Sequence, residues 1–347
     1  MRLLRAREIQ RLSPSTPRTP KFKSETQRIA HSAVIEAIKN GELEVVEVGC
    51  PVCEGQEFEH VASIDRQGIP VQTVRCVRCP TLYSRQRFTD VALNTFYSSY
   101  YRDLYGGVSS PNQEWFESQV ESGRKILRSL LMAGVIPDQL DGLRVLEVGS
   151  AAGGVLAPFR EEGATVLGVD FDENYLKFGR SKGIDLRIGG VNDVPAYGVQ
   201  DIVILKDVLE HLPDPVRSLE LVRSVLSDRG VIYIQVPGLQ ALEFLGYGND
   251  LLRYLQIAHL CHYTKQSLEY LCQKAGLRVL HSELRGIAIC DKDATLGGDS
   301  GLKCPSPEHA AKALEYIYRH RIIAVVRHKL QSRTPENMKR LAKKLIR

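Results

Sequence analysis

Residues 143–170 read LRVLEVGSAAGGVLAPFREEGATVLGVD, and the fold class follows from how they alternate. Arg144–Val148 is a short apolar run; a turn of small residues follows, then a helical pattern near 154–162, then a second apolar run, Thr165–Val169, closed by Asp170. Strand, tight turn, helix and strand in so few residues make a βαβ unit, whose two strands lie parallel. Gly149, Ala151 and Gly153 let the backbone bend sharply and approach a ligand that larger side chains would hold off. A glycine turn alone would equally suit a dinucleotide phosphate, so the nearby acids discriminate. Glu147, at the end of the first strand, would repel a pyrophosphate and compensate a cationic ligand, and Asp170 stands where an acid accepts both hydroxyls of a ribose.

Beyond this unit, apolar runs at Asp185–Ile188, Asp201–Leu205, Gly230–Val236 and Leu277–Leu284 alternate with helical patterns at 173–182, 214–227 and Thr264–Ala275. This predicts an α/β fold: a Rossmann-like, doubly wound, mostly parallel sheet over residues 143–290, six strands of which are legible as apolar runs. Ahead of it the sequence predicts a basic arm and short helix over 1–44, a zinc ribbon over 45–90, and a tyrosine-rich linker and helix over 91–142. In the arm, apolar residues at helical spacing mark a helix from Glu25 to Lys39 that stops at Asn40-Gly41. Residues 291–347 read as a loop followed by a basic helical tail.

The chain has 347 residues, 43% hydrophobic and 25% charged, enough to bury a core without disulfides. No apolar run approaches the ~20 residues of a membrane span, and the first thirty residues have no signal-peptide pattern, so the expected location is cytoplasmic. The net charge of +5 is uneven: residues 1–28 carry +6 and 319–347 carry +9, which leaves −10 on the body between them. An acidic body argues against a nucleic-acid groove across the fold. The basic helical tail suits peripheral contact with the anionic inner membrane face.

Cys50-Pro-Val-Cys53 and Cys76-Val-Arg-Cys79 form two C-x2-C pairs 22 residues apart. Each pair is a knuckle that turns two thiolates toward one ion, and two knuckles complete the tetrahedral sulfur site of a structural Zn²⁺. Between them EFEHVASIDRQGIPVQTVRC alternates like two strands joined around Gln67-Gly68.

The run EVGSAAG, then Val169-Asp170, then DIVILKDVLEHLPDP (201–215) and SVLSDRGVIYIQVPG (224–238) resembles the class I S-adenosylmethionine-dependent methyltransferases over roughly 143–285. The resemblance implies that the sheet is seven-stranded and that Glu147 and Gly149 to Gly153 line the methionine part of the cofactor. It further implies that Asp170 holds the ribose, Asp193 reaches the adenine amino group, and Lys206 and Asp207 sit beside the sulfonium. Ala151 departs from the pattern, because the family usually has glycine there. A four-cysteine ribbon followed by FYSSYYRDLY (96–105) and this core is similar to bacterial enzymes that modify surface polysaccharides and sugars. It also resembles the front half of deoxysugar C-methyltransferases, which carry a further C-terminal domain; the shorter C-terminal part here favours O-methylation.

Methyl transfer to oxygen needs donor and acceptor aligned and one proton removed. Two histidines are candidate bases: His211, in the E-H-L-P motif at the C-terminal edge of the sheet, and His262, in HLCHYTKQSL before a helix. His259 is the weaker alternative, since it falls in an apolar helical run. Asp207, Glu210 and His211 have D-x-x-E-H spacing, which also suits a divalent cation such as Mg²⁺. Tyr97, Tyr100, Tyr101 and Tyr105 would either stack on a sugar face or pack the ribbon onto the core. The leading reading is a methyltransferase acting on a hydroxyl of a sugar, glycan or other small molecule. The alternatives are a sugar C-methyltransferase, an RNA methyltransferase that grips its substrate with ribbon and basic tails, and a non-catalytic adaptor. Glu54, Glu57, Glu59 and Asp65 in the ribbon count against RNA.

Overall fold

The computed structural model of the protein describes residue 22 and residues 24–105, 111–247, 250–292 and 302–319. The first part of the basic arm, residues 293–301 of the expected loop, and residues 320–347 of the basic tail lie outside the described residues.

The first helix, α1 (Glu25–Lys39), has the predicted bounds; Ser24 caps it by accepting the Gln27 N–H, and Ala30, Val34 and Ala37 form its buried stripe. β1 (Val45–Glu47) pairs with β5 (Gln86–Phe88). The predicted hairpin is β2 (Phe58–Ile64) with β3 (Pro70–Cys76), turning at Gly68, whose φ is +80°. β4 (Leu82–Ser84) adds to β3. The fourth strand of this sheet comes from far along the chain: Cys261–His262, β11 in chain order, pairs with Tyr83 and Leu82. The tyrosine-rich segment is two helices, α2 (Asp90–Ser99) and α3 (Tyr101–Tyr105). Tyr97, Tyr101 and Tyr105 stand four apart and stack along one face, with ring centroids 5.0 and 5.4 Å apart.

The long helix α4 (Gln113–Met132) is capped by Asn112 and buries Phe116, Val120, Ile126, Leu127 and Leu130. Its Gly123 touches the turn after β6 (Arg144–Val148) so closely that a Cβ there would lie 2.2 Å from the Val155 carbonyl oxygen.

β6 is the third strand from one edge of the seven-stranded sheet and lies beside its middle strand, β9 (Gln200–Lys206). To one side run β7 (Thr165–Asp170) and β8 (Leu186–Ile188); to the other run β9 and β10 (Leu226–Gln235), all parallel. The far edge is β13 (Ile287–Lys292), antiparallel to β10, and then β12 (Leu277–Glu283). Two expectations are corrected here. The helix expected over 214–227 is Pro215–Val225, because Leu226 already pairs with Gln200 at the start of β10. The strand Ile287–Lys292 has too short an apolar run to read from periodicity, and it crosses the expected core boundary at 290 because Val231 pairs with Asp291 and Ile232 with Cys290.

Alternate residues of the strands feed two cores. Leu146, Val148, Val203, Leu205 and Ile232 pack with Leu219 and Val222 and with the ribbon residues Val52, Val74 and Tyr83. Val145, Ile202, Ile204 and Tyr233 pack with Ile126 and Leu130 of α4 and with Phe159 and Leu176. The ribbon is thus continuous with the main core. Residues 308–319 are helical and set Ala310, Leu314 and Ile317 against Val61, Leu82 and Leu251.

Candidate functional site

The strand order reverses at β6, so the crevice beyond the C-terminal ends of β6 and β9 is where a ligand site belongs in such a sheet. At Gly149 φ is +71° and a Cβ would lie 2.5 Å from Val208 Cγ2, so both conformation and space demand glycine. Ala151 also adopts positive φ, +46°, a strain of about 1–2 kcal/mol for a residue with a Cβ. Its N–H donates to Asp170 Oδ2 at 2.9 Å, while Asp170 Oδ1 accepts the Asp172 N–H at 2.9 Å. The carboxylate at the end of β7 is thereby pinned across the glycine turn.

Glu147 is buried, its Oε2 has no hydrogen-bond partner, and burial raises its pKa well above the usual carboxylate range against the pull of Lys206. Lys206 lies at the end of β9 with its Nζ 2.5 Å from Asp207 Oδ2. Burial opposes its charge, but the adjoining Asp207 outweighs burial and raises its pKa. Asp207 itself holds φ +56°, a strained conformation of a kind concentrated at functional sites. Asp193 turns back to accept the Gly190 N–H at 2.8 Å, so one of its oxygens closes a turn. Phe171 and Ile188, 73% and 61% exposed, form an apolar shelf beside Asp170 that the sequence reading missed. The Phe171 ring lies over Gly190, where a Cβ would meet it at 2.6 Å. Carboxylates, a bare backbone turn, an apolar shelf and a buried unpartnered oxygen suit a cationic ligand carrying a ribose and an aromatic base, and so fit S-adenosylmethionine.

On the other side of Asp207, the short turn Leu209–His211 brings together residues from three parts of the chain. His211 Nδ1 lies 2.9 Å from the Ala258 carbonyl and 2.8 Å from the Tyr97 hydroxyl. A carbonyl only accepts, so the proton sits on Nδ1 and Nε2 keeps its lone pair. Burial pushes the pKa of His211 down to about 4, partly offset by the Ala258 carbonyl, so the ring is neutral at pH 7. Glu210 is fully enclosed, neither carboxylate oxygen has a partner, and burial, with Asp207 nearby, raises it well above the usual range.

His259, the weaker candidate from sequence, stands in this group: its ring centroid is 4.9 Å from that of His211 and its Nε2 is 4.0 Å from Glu210 Oε1. Its segment is strapped in place, since the Leu260 N–H donates to the Glu210 carbonyl and the Ser84 hydroxyl to the His259 carbonyl. His262 lies on β11, one ring further in; both its ring nitrogens lack partners and burial lowers its pKa to about 3. Of the four tyrosines, Tyr97 and Tyr101 face His211, Tyr105 continues their stack, and Tyr100 turns away to donate to Glu42.

The expected Mg²⁺ cluster of Asp207, Glu210 and His211 is not the one assembled. Asp207 is engaged with Lys206, and the donor atoms that lie within 4.8 Å of one another belong to Glu210, His211 and His259. Two imidazoles and one carboxylate are a poor set for magnesium, which takes oxygen ligands. The four cysteines do converge. Their sulfurs lie within 4.8 Å of one another, with Cys50 and Cys79 3.5 Å apart and Cys53 and Cys76 3.4 Å apart. Zinc bonded at about 2.3 Å would set sulfurs about 3.8 Å apart, close to these spacings. The Arg78 N–H points at Cys76 Sγ at 3.3 Å and Thr81 Oγ1 lies 3.3 Å from Cys79 Sγ, contacts that suit thiolates held on an ion.

Residues 117–282 match the methyltransferase domain family. The ubiquinone biosynthesis O-methyltransferase of Xanthomonas campestris pv. campestris is 30% identical over 119 residues, 31% of this chain and 50% of that protein. The C-methyltransferase NovU of Streptomyces niveus is 28% identical over 146 residues, 40% of this chain and 34% of NovU. The chain thus spans half or less of the length of these curated relatives. Among solved structures, the magnesium protoporphyrin IX methyltransferase of Synechocystis PCC 6803 with bound SAH is similar at 17% identity and a TM-score of 0.40, over 54% of this chain and 90% of that one.

Proposed function

We propose that this chain, whose residues 117–282 form a class I S-adenosylmethionine-dependent methyltransferase domain, methylates a hydroxyl of a sugar, glycan or other small molecule. Glu147 and the turn Gly149, Ala151, Gly153 would hold the methionine part, Asp170 the ribose hydroxyls, and Phe171 and Asp193 the adenine. Lys206 and Asp207 would flank the sulfonium. The acceptor oxygen attacks the methyl carbon, the carbon–sulfur bond breaks, and the hydroxyl proton passes to an imidazole. The observation that carries this reading is His211: a neutral ring at the mouth of β9, fixed by Ala258 and Tyr97 and walled by tyrosines that suit a sugar face.

We place the base at His211, whose Nε2 lies 3.9 Å from Glu210 Oε1 with His259 Nε2 4.0 Å from the same oxygen, and leave His262 as a residue that positions them. A structural Zn²⁺ on Cys50, Cys53, Cys76 and Cys79 would hold the sheet that carries β4 and β11. No helix among the described residues is long and apolar enough to cross a membrane, and the basic residues 319–347 would hold the protein at an anionic membrane surface. The similarity to NovU supports C-methylation of a sugar as the second reading.

Calorimetric titration of the zinc-loaded protein with S-adenosylmethionine and S-adenosylhomocysteine, repeated on Asp170→Ala, tests the cofactor site. Binding that the substitution abolishes supports it, and radiolabelled methyl transfer to sugars and nucleotide sugars then identifies the acceptor. NMR of the product separates O- from C-methylation. A folded protein that binds neither ligand overturns the reading in favour of an adaptor.

A further inference from the structure

Arg66 sits at the tip of the β2–β3 hairpin, and its guanidinium carbon lies 4.8 Å from the centre of the Tyr105 ring. Tyr105 packs at a tilt on Tyr101, and Tyr101 meets His211 edge-on, so the cation stands two rings away from the proposed base. Its backbone is fixed to the same wall, because the Arg66 N–H donates to the Leu255 carbonyl at 2.9 Å. The neighbouring carboxylate makes no ion pair with it, although, against the burial that raises the pKa of Asp65, the charge of Arg66 pulls it down. Asp65 is buried and turned inward, where it accepts N–H bonds from Gln67, Ile69 and Ile257 and the Tyr105 hydroxyl. The cofactor side differs: there Arg102 pairs with Asp172 and Lys206 with Asp207. Among the described residues no carboxylate lies within ion-pair distance of the Arg66 guanidinium. Burial raises the hydroxyls of Tyr101, Tyr105 and Tyr247, and the charge of Arg66 pulls all three the other way, which marks the surface its field covers.

Guanidinium on an aromatic ring keeps its N–H edge free, a geometry that recognises carboxylate and phosphate oxygens. We propose that Arg66 makes the enzyme select an acceptor bearing an anionic group, a carboxylate or a phosphate, held over Tyr101 and Tyr105 while the hydroxyl to be methylated lies at His211. This rests on the methyltransferase reading above. The anionic group sets which acceptors enter, and the proton chemistry stays with His211.

The test uses the full chain saturated with S-adenosylhomocysteine and titrated with glucose, glucuronate and glucose 1-phosphate. The variants Arg66→Gln and Arg66→Lys are compared, and methyl transfer to the same compounds is followed with labelled S-adenosylmethionine. The expected result is that an anionic probe binds more tightly than glucose, and that Arg66→Gln removes the preference, weakening that probe roughly ten- to a hundredfold. Arg66→Lys should keep part of it, with cofactor affinity equal in all three proteins. Preference for glucuronate assigns a carboxylate, and preference for glucose 1-phosphate assigns a phosphate. Equal binding of neutral and anionic probes, no binding of either anion, or an unchanged preference in Arg66→Gln overturns the proposal. Anion binding that needs Arg66 but is followed by no methyl transfer would count against the hydroxyl acceptor while leaving Arg66 as the anion site. Transfer to glucose that ignores Arg66 would do the reverse.

Discussion

His211 Nδ1 and the Tyr97 hydroxyl meet at 2.8 Å although 114 residues separate them in the chain. Tyr97 comes from the helix after the ribbon and His211 from the turn after β9, so this contact joins the N-terminal part to the proposed reaction centre. With Ala258 it fixes both the ring and its tautomer. His211→Ala is expected to lower kcat by roughly a hundredfold or more, the scale of a lost general base, and Tyr97→Phe by roughly tenfold through misplacement of the ring. Cofactor affinity, measured by calorimetry, should stay unchanged in both.

Ala151 sits at φ +46° in the turn proposed to hold the cofactor, where glycine would carry no strain. Ala151→Gly is expected to stabilise the protein by up to about 1 kcal/mol, the relief of strain less the added freedom of the unfolded chain. Urea unfolding measures this directly. The same variant should bind S-adenosylmethionine at least as tightly, because the Ala151 N–H that orients Asp170 is a backbone group and survives the change.

His262 contributes an acid-sensitive element. Its pKa falls from 6.5 in the unfolded chain to about 3 in the fold because burial disfavours the charged ring. The unfolded state therefore binds the extra proton first: stability is full above about pH 6.5 and declines as pH falls toward 3. His262→Phe, which preserves the ring contact with Tyr254, should lose less stability than the parent between pH 7.5 and pH 5, by about 2 kcal/mol. Its kcat should stay within about threefold of the parent, whereas a catalytic role for His262 would predict a loss on the scale of His211→Ala.

Metal content should be one zinc per chain, lost in Cys53→Ser. Because β11 is hydrogen-bonded to β4 of the cysteine-bearing sheet, removing the ion is expected to loosen His259 as well as the ribbon. Activity should fall while S-adenosylhomocysteine still binds, since Glu147, Asp170 and Asp207 belong to the other sheet or its edge. Loss of cofactor binding together with the metal would show instead that the two sheets unfold as one unit.

The features legible along the chain are local: the strand–glycine turn–helix around Gly149, the acid at the end of each neighbouring strand, the paired cysteines and the helix from Glu25 to Lys39 with its stop at Asn40-Gly41. Each depends on residues within one turn, one strand period or one loop, where spacing translates directly into geometry. Which distant groups share a site depends on the folded chain. His259 reads as part of an apolar run, yet the return of β11 to the ribbon sheet sets it beside Glu210 and His211. Asp207 has the spacing of a metal ligand, yet Lys206 takes it. Arg66 and Phe171 carry no motif, and the tyrosine run does not say that Tyr97 is the one that meets His211; they gain meaning from a hairpin tip, a shelf and a helix face that converge on the crevice at β6. Contacts of that kind depend on how the chain closes long loops and shares its buried surface, and no spacing along the sequence records it.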